Sequence, residues 1–262
     1  MRRWLWRLRT LFYLAPAAIH LVVACLFVFW IQQAAARVEF AWSYTLGKAY
    51  TFGYAFEACF ALNWTLLKSG FFWQPFTYAL LHGGWFHLAM NTLVILLFGA
   101  GVEAEVGSKR FLRIFFFGVV LGGLGWLGVL ALMPFLPPME ALAQWVPEVV
   151  RRWLPFVSTR DTLDTAMCVG ASGGVFALIG AYAAMFPQRI VYILIPFPVK
   201  VRARTLAIIL GVLTVVEAVA IQSNVAYAAH LVGGLAGYLY GAVLRRKGFS
   251  DLEEDYDDDE GS

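Results

Sequence analysis

Three short polar clusters interrupt an otherwise apolar chain. The first reads His82-Gly-Gly-Trp-Phe-His87-Leu-Ala-Met-Asn91. The second reads Val169-Gly170-Ala171-Ser172-Gly173-Gly174, and the third Ala229-His230-Leu-Val-Gly233-Gly234-Leu-Ala-Gly237. A serine hydroxyl is a weak nucleophile until a base removes its proton. A histidine can be that base, so Ser172 and His230 together suggest acyl transfer. Taken singly, each cluster has a plainer reading. A lone serine in a helix bonds back to its own backbone, and a glycine patch allows close helix packing.

Position favours the chemical reading. The clusters lie in three different apolar segments, where polar groups are costly and by default functional. At 1.5 Å per residue, Ser172 stands roughly 25 Å from Arg189, His230 roughly 22 Å from Arg245 and His87 roughly 24 Å from Glu103. The three heights match. His87 and Asn91 are four residues apart and share a helix face. His82 and His87 are five apart, which turns them away from each other on a continuous helix. His82 therefore reads as a residue at the helix entrance that organises the loop. The same spacing argues against zinc, since paired histidine ligands on one helix stand four apart. No metal or other cofactor is expected.

About 15 residues separate Ser172 from Pro187, fewer than the ~20 of a full span. That helix should begin below the surface, near Ser172. Its start would offer unpaired N–H groups and a positive dipole end, the donors an oxyanion needs. A carboxylate to orient the histidine is missing. Glu217 is the one acid well inside a span; it lies high on the fifth helix, where it could line the cavity, but the favoured reading is an interfacial residue. The proposal is thus a Ser–His dyad. Gly170-Ala-Ser172-Gly-Gly174 also fits the α/β-hydrolase nucleophile elbow, but that motif needs a preceding strand and a soluble sheet. Here a polar loop, Ser158–Thr165, precedes it.

The elements that must position these residues follow from composition. The chain has 262 residues, 61% hydrophobic and 14% charged, against about a quarter charged in a soluble domain. Such hydrophobicity excludes disorder for the bulk of the chain, and a net charge of +3 with scattered basic residues does not suggest nucleic-acid binding. Six stretches are candidate membrane spans: Leu11–Ala35, His82–Val102, Phe111–Phe135, Met167–Phe186, Thr205–Ile221 and Tyr227–Leu244. The expected fold is all-α, a polytopic six-helix membrane bundle over residues 11–247. It is flanked by a cytoplasmic segment 1–10 and an acidic, disordered cytoplasmic tail 248–262.

With both termini in the cytoplasm, 14 of the 20 Lys and Arg residues fall on that side, as the positive-inside rule requires. The expected location is the plasma (inner) membrane of a prokaryote. The first apolar run exceeds the 7–15 residues of a signal-peptide core, so it reads as a retained span. Two outer loops, about 37–81 and 136–165, are long. The first is rich in aromatics and should lie at the outer interface. In the second, Met139–Leu154 should form an amphipathic helix. Cys25, Cys59 and Cys168 give no disulfide framework. Eight of the 17 acidic residues sit in Asp251–Glu260, and without them the net charge is +11.

The three clusters, in this order, resemble the rhomboid family of intramembrane serine proteases. The resemblance runs from Trp73 to Gly241. It rests on His82, His87 and Asn91, on Gly170, Ser172 and Gly173, and on Ala229, His230 and Gly233. Gly107–Phe111 is similar to the family's turn between its second and third spans. The resemblance implies that Ser172 is the nucleophile and His230 the general base. It puts His87, Asn91 and the Ser172 N–H at the oxyanion, and it makes Phe176 an aromatic packed on the catalytic histidine. It also implies single-span or other membrane-protein substrates cut near the outer face, with the fifth span and first loop as gates.

The chain departs from the family in reading Trp73-Gln74 where members often have Trp-Arg, which should loosen that loop's anchoring. Its third-to-fourth loop is also longer than in compact bacterial members. A rhomboid-like pseudoprotease, binding membrane clients without cutting them, is the alternative function, although such proteins typically lose the serine or histidine. A transporter would call for inverted repeats or substrate-binding charges, and neither is evident. Partners are therefore membrane substrates and the bilayer, with no nucleic acid.

Overall fold

The computed structural model describes residues 15–38, 52–132, 135, 166–193, 199–220 and 226–248. The amphipathic helix expected at Met139–Leu154, the acidic tail and residues 1–10 lie outside these. Helix α1 (Pro16–Ala36) is followed by three short helices, α2 (Phe52–Phe60), α3 (Trp64–Lys68) and α4 (Gln74–Thr77), and by a 3₁₀ turn at Tyr78–Leu80. Next come α5 (Trp85–Val94), a π turn at Ile95–Gly99, α6 (Ala100–Leu132), α7 (Ser172–Met185), α8 (Ala203–Ala220) and α9 (Ala226–Lys247). The expectation of an all-α chain needs one correction. Strands β1 (Ile190–Ile193) and β2 (Val199–Arg202) pair antiparallel, with Ile190 opposite Arg202. Their β-branched residues favour extended structure, and Pro196 and Pro198 between them bar helix continuation.

Among the described residues, three helices are long and apolar enough to cross a membrane: Pro16–Ala36, Trp85–Leu132 and Tyr227–Lys247. Ser172–Met185 and Ala203–Val216 are apolar but shorter. The 48-residue stretch Trp85–Leu132 would extend roughly 72 Å if straight, over twice the bilayer core. It is not straight. Gly107 adopts φ 76°, ψ 164°, a conformation L side chains avoid. A Cβ on Gly99 would lie 2.9 Å from the Phe111 ring, yet 12 residues of unbroken helix would hold them roughly 18 Å apart. The chain therefore doubles back at Gly107, and its two legs pack on each other.

The outward surface is apolar. Val23, Phe27 and Trp30 on α1, Ile208, Val212 and Val216 on α8, and Leu235 and Leu239 on α9 are all exposed. A water-soluble chain rarely shows so much contiguous apolar surface. For a membrane bundle it is the lipid-facing side.

Glu103, which the sequence reading used only as a height marker, organises one end. It is 1% exposed. Its two carboxylate oxygens accept the backbone N–H groups of Ala17 and Ala18, each at 2.8 Å, and it accepts the Ser108 hydroxyl at 2.6 Å. One carboxylate thus closes the Gly107 turn and caps α1, where its charge suits the positive end of the dipole. Glu103→Ala should cost about 2 kcal/mol or more, from lost capping and buried unpaired N–H groups. A lowered midpoint for thermal unfolding in detergent would show it, with a smaller loss for Glu103→Gln.

Candidate active site

The site rests on a parallel pair of helices. On α9, Gly233, Gly237 and Gly241 recur every four residues and form one face. A Cβ on Gly233 would collide with Gly173, one on Gly237 with Ala177, and one on Gly241 with Ala181 at 2.7 Å. The partners on α7 also recur every four residues, in the same direction. The two helices therefore run parallel and in register, backbone on backbone, as small-residue packing permits. Ser172 and His230 lie at the same end of this pair. Position 232 is level with Ser172, so His230 stands roughly 3 Å further toward that same end. The second leg of α6 closes the third side. A Cβ on Gly122 would meet the Ala229 carbonyl at 2.8 Å and the Gly173 Cα at 3.4 Å.

Ser172 is the first residue of α7 and half-buried. The first bond of the helix's own ladder runs from Val175 N–H to the Ala171 carbonyl at 2.9 Å. The N–H groups of Ser172, Gly173 and Gly174 fall outside that ladder, at the positive end of the helix dipole. One turn later, the Phe176 ring stacks on His230, centroids 4.4 Å apart and planes 2° from parallel. This fixes the imidazole over the start of α7.

His87 approaches from the third element. Gly170 has φ 123°, and a Cβ there would lie 2.5 Å from His87 Cε1 and 2.8 Å from Nε2. Only glycine lets the ring sit over the segment leading into Ser172. Gly83 N–H donates to His87 Nδ1 at 3.4 Å. A backbone N–H can only donate, so in the neutral ring Nε2 carries the proton. The edge facing Gly170 is thus a hydrogen-bond donor. Asn91 is buried, and its amide donates to the His87 carbonyl at 3.1 Å. Gly170→Ala should lose both the backbone conformation, at about 1–3 kcal/mol, and the seat of His87. A drop in thermal midpoint together with impaired chemistry is the expected outcome.

His82 precedes the helix entrance, but it does not turn away from His87 as its spacing suggests. Helix α5 begins only at Trp85, after Gly83 and Gly84, so helical spacing does not separate the two histidines. Their rings meet edge to face, centroids 5.2 Å apart. His82 is 1% exposed, its ring Nδ1 lies 3.2 Å from the Leu80 carbonyl, and its backbone N–H donates to Gln32 Oε1 at 3.1 Å. Gln32 in turn donates to Glu57 at 2.7 Å. His82 thereby ties α1, α2 and the start of α5 together.

Gln74 also departs from expectation. It anchors the loop between α1 and α5 rather than loosening it. The side chain is fully buried, accepts from Asn63 N–H at 3.2 Å and donates to the Ala58 carbonyl at 2.8 Å. An amide can both donate and accept, so it bridges two strands of loop. Asn63 caps α3 through Leu66 N–H and donates to the Ala166 carbonyl at 2.8 Å. Leu62 and Cys168 exchange backbone bonds of 3.0 and 2.9 Å, and Gly170 N–H donates to the Tyr78 carbonyl at 2.8 Å. The loop between α1 and α5 therefore holds the segment that carries Gly170 and Ser172. The signals for Gln74, Asn63 and Tyr78 in the sequence were only polar atoms in an aromatic-rich loop. The side chain of Glu217 is outside the described set.

Comparison with known proteins points one way. The Rhomboid domain family matches residues 69–247, more than half of the chain. Rhomboid protein 1, mitochondrial, of Saccharomyces cerevisiae is 26% identical over 166 residues, 63% of this chain and 40% of that protein. YdcA of Bacillus subtilis, provisionally named a rhomboid protease, is 27% identical over 119 residues, 45% of this chain and 44% of that protein. Rhomboid-related protein 3 of Homo sapiens is 30% identical over 112 residues, 43% of this chain and 20% of that protein. The chain thus spans less than half the length of each of these curated relatives.

Proposed function

The chain belongs to the rhomboid family, and from that premise we propose that it is an intramembrane serine endopeptidase acting on membrane-anchored proteins near the outer face of the bilayer. The observation that carries this reading is the parallel, in-register packing of α7 on α9, which sets Ser172 and the Phe176-stacked His230 at one end. In this reading the chain crosses the membrane six times: α1, the two legs either side of Gly107, α7, α8 and α9. The end bearing Arg110, Arg113 and Lys247 faces the cytoplasm, and Ser172 opens toward the opposite side.

The chemistry follows from the groups present. Ser172 Oγ attacks the scissile carbonyl carbon while His230 accepts its proton. The tetrahedral oxyanion takes hydrogen bonds from the Ser172 N–H, His87 Nε2–H and the Asn91 amide. His230 then passes the proton to the departing amine as the C–N bond breaks. Water next attacks the acyl ester with His230 again as base, releasing the acid and restoring Ser172. The described part of α8 buries only Ala203, Leu206 and Thr214, which suits a helix that parts from the bundle to admit substrate.

A fluorophosphonate probe tests this without a known substrate. Labelling of wild-type Ser172, blocked by prior heat unfolding, is the expected result. A chain that binds single-span membrane proteins yet never labels at Ser172 would instead be a non-cleaving client binder.

A further inference from the structure

A second site lies at the opposite end of the bundle, between the second leg of α6 and α9. Near the outer end these helices touch closely, because a Cβ on Gly122 would meet Ala229 at 2.8 Å and one on Gly125 would meet Val232 at 2.6 Å. Farther along, bulky residues replace the glycines and hold the helices apart. The rings of Phe117 and Tyr240 are 6.3 Å apart at the waist. The space left is an open groove of about 600 Å³, within the usual range of ligand sites. Leu121, Leu239, Val243 and Leu244 wall it, and Arg110, Arg113 and Lys247 stand at its foot.

The dimensions fit one leaflet. From Leu121 to Arg110 is eleven residues of helix, roughly 16 Å, and a leaflet's hydrocarbon is about 15 Å. Leu239 and Val243 are exposed on the outward surface, so the groove opens sideways to lipid. An apolar wall alone would take any acyl chain. Three cations at the polar end add selectivity, since each Lys or Arg near an anionic headgroup favours binding.

We propose that this groove is a binding site for a single anionic phospholipid, with an acyl chain along Leu121, Leu239 and Leu244 and the phosphate on Arg110, Arg113 and Lys247. The acidic segment Asp251–Glu260 complements the cations, but its apolar side chains are only Leu252 and Tyr256, too few to line walls that run from Leu121 to the foot of the groove. The lipid satisfies both.

The test uses the full chain in phosphatidylcholine bilayers doped with spin-labelled phosphatidylglycerol or spin-labelled phosphatidylcholine. The immobilised fraction of each is read by electron spin resonance. The expected result is excess immobilised phosphatidylglycerol over phosphatidylcholine. The preference should fall roughly fivefold per cation removed in Arg113→Ala/Lys247→Ala. It should hold in Arg202→Ala/Arg204→Ala, which removes two exposed cations elsewhere. Leu239→Trp should lower phosphatidylglycerol immobilisation with charge unchanged. Thermal midpoints matching the wild type would show that the variants fold. No preference, a preference surviving the groove pair, or an equal loss in the control pair would overturn the proposal. So would a preference that emerges only after the eight tail acids are neutralised, because the tail would then be the occupant.

Discussion

Ser172→Ala, with the fold intact, is expected to reduce cleavage of a reconstituted single-span substrate by about 10³-fold or more, to background. In the proposed mechanism, Ser172 is the nucleophile, and its removal leaves no covalent route. His230→Ala should fall about as far, because Ser172 Oγ cannot shed its proton without a base at that height on α9. The double variant should be no worse than either single one, since residues that act as one unit are grossly non-additive. The measurement is initial rate in proteoliposomes, with thermal midpoints as the control for folding. Either single variant retaining activity within tenfold of wild type would sink the dyad. A double variant much slower than both singles would mean that the two residues act separately.

The second large effect is on stability. Gly237→Val should prevent stable folding or cost more than the roughly 1–3 kcal/mol typical of overpacking. The added carbon meets the Ala177 backbone, which cannot rotate aside as a side chain can. Gly234, in the same glycine cluster, is the contrast. A Cβ there finds its nearest neighbours at 3.7 to 3.8 Å, ordinary contact distance. Gly234→Ala should be neutral or slightly stabilising, because alanine favours a helix by up to ~1 kcal/mol over glycine. Chemical or steric-trap unfolding in bicelles reads both. If the two substitutions behaved alike, the register of α7 on α9 described above would be wrong.

Much of the candidate site is legible because its residues break a strong background. In a chain this apolar, Ser172, His87 and His230 stand out, and the helical rise alone set them at similar heights. Gly107 was readable through its motif. What escaped the sequence reading had weaker or longer-range causes. The placement of His82 turned on where α5 begins, and two glycines delayed that start to Trp85. Helix boundaries are poorly marked in sequence. Gln74 stands where related chains often have arginine, which can only donate, whereas an amide does more. It gives and receives at once, bonding Ala58 and Asn63. Glu103 caps a helix that starts 87 positions earlier in the chain, and no local spacing encodes such a partner. The β1–β2 hairpin was hidden in a short apolar run, where strand and helix are hard to tell apart.

The glycine ladder between α7 and α9 is degenerate. Its teeth repeat every four residues, so a slip of α9 by one step, roughly 6 Å of helix, would again set small residues against small residues: Gly237 opposite Gly173 and Gly241 opposite Ala177. The ladder alone therefore admits two nearly equivalent alignments, like a vernier read one division off. In the slipped alignment His230 would stand far out of line with Ser172. The Phe176–His230 stack has no repeat along either helix, so it breaks the tie. The ring that seats the base thereby also identifies which of the two alignments is the native one.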